Sequence, residues 1–227
     1  YLVLSDRTFF WTDLVGLFCL SLLAAGAYYL NQLCDFETDR INAKLGFLQR
    51  DIISRSGMRA AFVVCSVVSL GVAPFFSWWL FIIFLQLFLL GIAYSAPPLR
   101  LKDRPVAGLL ANAYAFGALI PMVAIREIRF DHTFLPVWHM AVYFALAVAG
   151  IHILTTLPDR EGDRAVDKRT VAVVMNDRAA KLLALVCLAA SVVLAFHWGY
   201  GYLAYISIFS VVVLFMSVMF RSASLDL

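Results

Sequence analysis

The chain has 227 residues, of which 63% are hydrophobic and 15% are charged, and its mean hydropathy is +0.87. This composition excludes an ordinary soluble domain, because several apolar runs are long enough to cross the hydrocarbon core of a bilayer as helices. The net charge of +3 is too small to indicate nucleic-acid binding, and the four cysteines lack the paired spacing of a metal or redox site.

The expected fold is an all-α, polytopic transmembrane helical bundle that forms one membrane domain over residues 1–227. The third and fourth apolar segments are separate helices, since Pro97, Pro98 and Pro105 cannot lie inside a continuous helix. Seven apolar segments predict the spans, at residues 12–33, 60–76, 78–96, 107–125, 136–157, 180–198 and 202–220.

Basic residues are unevenly distributed among the connections between these spans. Residues 34–59 contain five lysines and arginines, residues 97–106 contain three, and residues 158–181 contain six. With seven spans these connections share one side of the membrane, and the positive-inside rule predicts that this side is the cytoplasm.

An acidic cluster follows the first span, in the segment NQLCDFETDR at residues 31–40. Asn31, Asp35 and Asp39 are spaced four residues apart, so they share one face of a helix. One amide and two carboxylates are therefore expected to point the same way at the cytoplasmic end of this span.

A second acidic cluster follows the fifth span, in the segment LPDREGDRAVDKRT at residues 157–170. Asp159 and Asp163 are again four residues apart, and Asp167 continues the spacing. Carboxylates that face each other across the two clusters would repel unless a cation lies between them. Mg²⁺ takes hard oxygen ligands and often shares its shell with phosphate oxygens, so the clusters predict a magnesium site for a diphosphate.

A solvated surface is the competing interpretation of acidic residues beside arginines, because exposed ion pairs are common and weak. The matched spacing and matched sidedness of the two clusters favour the metal site. Nearby basic residues are then candidate partners of the diphosphate, namely Lys44, Arg50, Arg100 and Lys102.

The two clusters resemble the aspartate-rich motifs of the UbiA family of intramembrane prenyltransferases, over roughly residues 20 to 195. That family has Asn-Asp-x-x-Asp-x-x-x-Asp after its second helix and Asp-x-x-x-Asp after its sixth. The matching segments here are Asn31-Gln-Leu-Cys-Asp35-Phe-Glu-Thr-Asp39 and Asp159-Arg-Glu-Gly-Asp163. YSAPPLRLK (94–102) and GDRAVDKRTVAVVMN (162–176) resemble two further family segments, whereas Gln32 replaces an aspartate and Asp167 replaces a common glycine.

The resemblance implies an integral membrane bundle of nine helices around a cytoplasm-facing cavity, with the first and last helices missing from the seven predicted here. It implies Mg²⁺-dependent transfer of a prenyl group from a polyprenyl diphosphate to an aromatic or lipid acceptor, within membrane lipid. Asp35, Asp39, Asp159 and Asp163 are then the catalytic and metal-binding residues. The diphosphate-binding residues are then Asn31, Lys44, Arg50, Tyr94, Arg100 and Lys102.

Two polar residues inside apolar runs are candidate pocket residues. Asn112 either lines an acceptor pocket or bridges two helices. His152 lies seven residues before Asp159 on a similar helix face, and either contacts substrate or is a hydrogen-bonded core histidine. Tyr94 is likewise either a pocket residue or an interfacial anchor.

Two other functions remain open from the sequence. A terpene cyclase on the same scaffold would quench the carbocation within its own chain and would need no acceptor. A cation-coupled transporter would place acidic residues and broken helices near the middle of the membrane. The clusters lie at the ends of spans, which disfavours the transporter.

Overall fold

The computed structural model describes residues 11–41, 46–123, 134–209 and 211–212. Within these ranges the regular secondary structure is entirely helical, as expected. Residues 201–209 are also helical, but most of the predicted seventh span lies outside the described residues. The helices are α1 (Trp11–Ile41), α2 (Arg55–Phe76), α3 (Trp78–Ser95), α4 (Pro105–Asn112), α5 (Ile120–Val123), α6 (Phe134–Thr156), α7 (Arg160–Ala165), α8 (Val171–Val174) and α9 (Asp177–His197).

Six helical segments of the described chain are long and apolar enough to cross a membrane. Five of them correspond to α1, α2, α3, α6 and α9. The sixth is the fourth span, Pro105–Val123, in which a π-helical stretch, Ala113–Leu119, joins α4 to α5. Large apolar side chains such as Phe75, which is 88% exposed, cover the outer surface, as expected for helices surrounded by hydrocarbon.

Local chemistry sets several helix boundaries. The hydroxyl of Ser54 accepts a hydrogen bond from the Gly57 N–H at the start of α2, and Asn176 accepts one from Ala179 at the start of α9. Ser77 ends α2 and caps α3 in the same way. Pro105 occupies the first turn of α4, where its missing N–H costs nothing.

The helices pack in two groups that meet along the fourth span. α1 packs against α2 and α3, while α6 packs against α9 and against the π-helical stretch. Phe84, Ile83 and Leu119 are fully or almost fully buried in the first group, and Ile153 is fully buried in the second. The connections after α1, α3 and α6 lie at the ends of both groups, where the two aspartate motifs also lie.

The second motif is not an extension of the fifth span. α6 ends at Thr156, and Asp159 directly precedes the separate short helix α7, which contains Asp163. Asp167 continues the four-residue spacing in sequence, but it does not continue the helix, because α7 ends at Ala165 and Asp167 is an exposed turn residue with φ 57°. Such a left-handed conformation favours glycine, which is the residue that the family commonly has there.

Candidate functional site

A polar cavity of about 370 Å³ lies where the connections that carry the aspartate motifs cover the helix ends. Asp35 and Asp39 reach it from α1, while Asp159 and Asp163 reach it from the beginning of α7. The two motifs are separated by more than a hundred residues in sequence, yet all four carboxylates line this one cavity. Both predicted acidic clusters therefore lie at one cavity.

Asp35 is the meeting point of three cationic side chains. The residue is only 6% exposed. Lys102 Nζ lies 2.5 Å from Oδ2, while Arg100 Nη2 and Lys168 Nζ lie 3.4 Å and 3.9 Å from Oδ1. Arg100 and Lys102 belong to the connection between α3 and α4, and Lys168 follows α7, so two loops supply positive charge to the first motif.

The local environment shifts the pKa values of two of these cationic side chains in opposite directions. Burial lowers the pKa of Lys102 below its ordinary value, although the neighbouring Asp35 carboxylate opposes this shift. Burial also disfavours the charged form of Arg100, but a hydrogen bond and the charge of Asp103 raise the pKa of Arg100 overall. Arg100 is thus held as a cation beside Asp35.

The second motif is fixed by hydrogen bonds to the chain that follows it. Asp163 is 6% exposed, and its Oδ2 accepts a hydrogen bond from the Thr170 hydroxyl at 3.3 Å. The Asp163 carbonyl accepts one from the Lys168 N–H at 2.9 Å. The Arg160 guanidinium also donates to the carbonyls of Ala172 and Met175 and to Asp177, which ties α7 to α8 and α9.

The oxygen atoms of the four aspartates suit a hard cation such as Mg²⁺. Among the described residues, no three histidine, cysteine or acidic side chains form a group compact enough to hold a metal ion. Mg²⁺ is commonly held by one or two carboxylates and completes its shell with water and substrate phosphates. The site therefore fits a Mg²⁺ that shares its shell with diphosphate oxygens, and it does not resemble a preformed protein cage.

An apolar cavity of about 430 Å³ adjoins the polar one and lies between α1, α2, α3 and the fourth span. The rings of Phe62 and Phe88 stack in its wall, with centroids 6.1 Å apart. The two cavities share three lining residues, Tyr28, Asn31 and Tyr94. A ligand with a charged head and an apolar chain would match this pair of cavities.

The family model described as the UbiA prenyltransferase family matches residues 1–225. The chain belongs to the UbiA prenyltransferase family. Together with the six apolar helices, this membership makes it an integral membrane protein. The resemblance inferred from the aspartate motifs is confirmed.

Curated UbiA relatives and a solved structure are similar to most of the chain. A homogentisate phytyltransferase of Synechocystis is 27% identical over 82% of this chain and 63% of its own length. A lycopene elongase/hydratase of Halobacterium salinarum is 31% identical over 80% of this chain and 65% of its own length. The chain thus spans less than two thirds of either relative. A UbiA homologue from Archaeoglobus fulgidus, solved with DMAPP and Mg²⁺, is 20% identical to this chain. The structural match covers 92% of this chain and 75% of the homologue, with a TM-score of 0.69. This match confirms the fold.

Most of the remaining predicted residues of this UbiA protein also lie at the cavities. Asn31, Tyr94, Lys102 and His152 line the polar cavity, and the Asn31 amide donates to Ser95 Oγ at 3.4 Å. Asn112 lines the apolar cavity, and its amide donates to the Gly108 carbonyl of its own helix at 3.0 Å. Arg100 is not among the described residues that line either cavity, but it contacts Asp35 from the neighbouring loop.

One predicted diphosphate ligand, Arg50, is not brought to this UbiA site. Arg50 is exposed in the turn after α1 and is not one of the described residues that line the polar cavity, while Lys44 lies outside the described residues. Arg104, Lys168 and Thr170 do line the cavity although sequence reasoning missed them. The proximity of Lys168 and Thr170 to Asp163 in sequence was the available signal.

Gln32, which replaces the usual family aspartate, is also buried at the polar cavity. Its Nε2 donates to the Tyr28 hydroxyl at 2.8 Å, and its Oε1 accepts from the Phe47 N–H at 3.1 Å. Its side chain is thus a structural link between α1 and the turn that follows α1.

Proposed function

We propose that this chain catalyses the Mg²⁺-dependent transfer of a prenyl group from a polyprenyl diphosphate to an aromatic or lipid acceptor, with release of diphosphate. The observation that supports the proposal best is the pair of adjoining cavities, one lined by both aspartate motifs and one apolar. A prenyl diphosphate has the same two parts. Its diphosphate would occupy the polar cavity, and its reactive carbon would lie near the shared residues Tyr28, Asn31 and Tyr94.

Departure of the diphosphate requires that its growing negative charge be stabilised. Lys102, Lys168 and Arg100 lie around Asp35 and would donate charge-assisted hydrogen bonds to the diphosphate oxygens. Bound Mg²⁺, held by Asp35, Asp39, Asp159 and Asp163, would supply Lewis-acid stabilisation of the same charge. Breakage of the carbon–oxygen bond leaves the electron pair on the diphosphate and an allylic cation on the prenyl group.

The prenyl cation must react with the acceptor before it reacts with water. The apolar cavity would exclude water from the prenyl chain, and its wall contains the rings of Tyr28, Phe62, Phe88, Tyr94 and Phe116. An aromatic face stabilises a nearby cation by about 0.5–2 kcal/mol. Attack by the acceptor's electron pair forms the new carbon bond, and loss of a proton from the acceptor completes the transfer.

The named relatives suggest which acceptors to test first. One is named for homogentisate, an aromatic acceptor, and another for lycopene, a hydrocarbon. Both belong to the proposed acceptor class. The excess of lysine and arginine in the three connections supports a site that faces the cytoplasm.

The proposal is tested with the purified chain in lipid nanodiscs and radiolabelled prenyl diphosphates of several chain lengths. Homogentisate, lycopene or no acceptor is added, with Mg²⁺ or with EDTA. We expect prenylated product and diphosphate release with an acceptor and Mg²⁺ only. Asp35→Asn and Asp163→Asn should each reduce the rate at least about a hundredfold, since each removes a proposed metal ligand.

Glu37→Gln is the matched control, because Glu37 is an exposed α1 carboxylate that pairs with Arg40 outside the cavity. Its activity should equal that of the unchanged chain. A cyclic hydrocarbon formed without acceptor would instead identify a terpene cyclase. Ion flux that is lost in Asp35→Asn, with no diphosphate release in any variant, would identify a transporter.

A further inference from the structure

Asp103 lies beside the polar cavity but belongs to neither aspartate motif. It ends a short 3-10 turn, Leu101–Asp103, between α3 and α4. Its Oδ2 accepts a hydrogen bond from Arg100 Nε at 2.5 Å, and Nη2 of the same guanidinium lies 3.4 Å from Asp35 Oδ1. Arg100 is therefore shared between a carboxylate of its own loop and a carboxylate of the first motif.

The backbone of Asp103 contacts the other loop that supplies a cation. Its carbonyl accepts a hydrogen bond from the Arg169 N–H at 3.2 Å. Arg169 directly follows Lys168, whose Nζ lies 3.9 Å from Asp35 Oδ1. A single residue thus joins the turn that carries Arg100 to the segment that carries Lys168.

The local conformation shows that this turn is held by specific contacts. Arg100 has φ 40° and ψ 57°, a left-handed conformation that is unfavourable for a residue other than glycine. The Asp103 N–H donates to the Arg100 carbonyl at 3.0 Å and closes the turn. Asp103 Oδ1 is buried without a hydrogen-bond partner among the described residues. Burying an unpaired oxygen costs free energy, and the charge-assisted bond from Arg100 to Asp103 Oδ2 offsets this cost.

The geometry of a guanidinium gives this arrangement a consequence for the ligand. Arginine presents its donors as a rigid planar fork and often pairs with one carboxylate through two parallel bonds. Because Asp103 binds Nε, Arg100 reaches Asp35 only through Nη2 and only at 3.4 Å, which is long for a charge-assisted bond. The contact with Asp35 can therefore be exchanged for a contact with an incoming anion.

We propose that Asp103 is a positioning residue of the diphosphate site: it holds Arg100 beside Asp35 with its terminal N–H groups available to a diphosphate. This inference rests on the proposed function, since it takes the ligand of the polar cavity to be a diphosphate. Asp103 acts through Arg100 and does not itself contact the ligand.

The test measures binding of inorganic diphosphate with Mg²⁺ to the full chain in nanodiscs by calorimetry, so that prenyl length and acceptor have no influence. Asp103→Asn is nearly isosteric and is expected to raise Kd about tenfold, as for a weakened hydrogen bond to a charged group. Arg100→Gln should raise Kd at least as much. The double variant should bind no more weakly than Arg100→Gln alone, because Asp103 has no partner left to orient.

Two further variants separate this role from general loss of structure. Asp103→Glu restores a carboxylate and should recover most of the affinity, while Glu37→Gln should bind like the unchanged chain. Two results would overturn the positioning role alone. One is a tenfold rise in Kd when Asp103→Asn is added to the Arg100→Gln variant. The other is an unchanged Kd when Asp103→Asn is made in the otherwise unchanged chain. Failure of the unchanged chain to bind Mg²⁺ and diphosphate overturns the site itself and the proposed function with it.

Discussion

Gln32 connects α1 to the turn after it through two hydrogen bonds, and the backbone of that turn is shaped to receive its side chain. A Cβ atom on Gly46 would lie only 2.2 Å from Gln32 Nε2, so the glycine provides the space that the amide occupies. An aspartate at position 32 would be one methylene shorter and could not donate to Tyr28. Gln32 and Gly46 therefore fit each other. Where the family usually has an acidic residue, this chain has a glutamine that makes a structural contact.

Gln32→Met tests this link, because methionine has a similar volume but makes neither hydrogen bond. We expect the free energy of unfolding to fall by about 1–3 kcal/mol, since the Phe47 N–H loses its acceptor. Trypsin should also cleave faster after the exposed Arg50 in the released turn. Gln86→Met is the control, as Gln86 pairs with Tyr114 in a different part of the molecule; equal cleavage of both variants would contradict the link.

Among the elements, the fourth span is distinguished by its close approach to α6. A Cβ atom on Gly117 would lie 2.2 Å from Ala145 Cα and 2.4 Å from its backbone nitrogen. Backbone atoms cannot move aside as a flexible side chain can. The π-helical stretch thus brings its glycine directly against α6, while Ala115 and Phe116 of the same stretch line the apolar cavity.

Gly117→Ala should push these two helices apart and lower the free energy of unfolding by about 1–3 kcal/mol. Gly71→Ala is the matched control, because a Cβ atom there meets nothing within 4 Å and alanine is the better helix former. Thermal unfolding in detergent compares the two variants. If both have the melting temperature of the unchanged chain, the close packing described here is wrong.

The short helix α7 depends on Arg160, which contacts three partners in the chain that follows it. Lysine at this position keeps the charge but loses the planar fork, so it can satisfy only part of this set. We expect Arg160→Lys to weaken binding of Mg²⁺ and diphosphate about tenfold, because Asp163 is no longer held in place. Arg164→Lys, at an exposed position of α7, should bind normally; equal weakening in both variants would indicate a nonspecific effect of lysine.

Sequence periodicity predicted the first motif correctly because the relevant order is local. Asn31, Asp35 and Asp39 lie within one continuous helix, so their spacing alone placed them on a common face. No such rule distinguishes Arg50 from Lys168, since both are basic residues in connections between spans. Their different positions depend on how the loops fold over the helices, and the end of α7 before Asp167 is likewise decided by turn conformation.

At the scale of the whole molecule, the ends of two helix groups and two loops meet around one carboxylate. Lys102, Arg100 and Lys168 neutralise Asp35 within the protein itself. An isolated buried carboxylate would be costly, but a paired one is tolerated. Folding of this region therefore does not require a metal ion to remove the repulsion between the motifs.

Removal of divalent ions should consequently leave the folded state nearly unchanged. We expect EDTA to shift the melting temperature of the ligand-free chain by less than about 2 °C, which corresponds to a change of less than about 1 kcal/mol in the free energy of unfolding. Diphosphate should raise the melting temperature only when Mg²⁺ is present, because a ligand stabilises the state that it binds. Collapse of the ligand-free chain in EDTA would show that the ion is structural.

The internal pairing of Asp35 also bears on how the protein is made. A chain that carries its own countercharge can complete membrane insertion before it encounters any ligand of the polar cavity. Synthesis and insertion of the protein are then separate from the binding of its ligand. A cell can accordingly keep a reserve of folded protein that is ready to bind its ligand when the ligand becomes available.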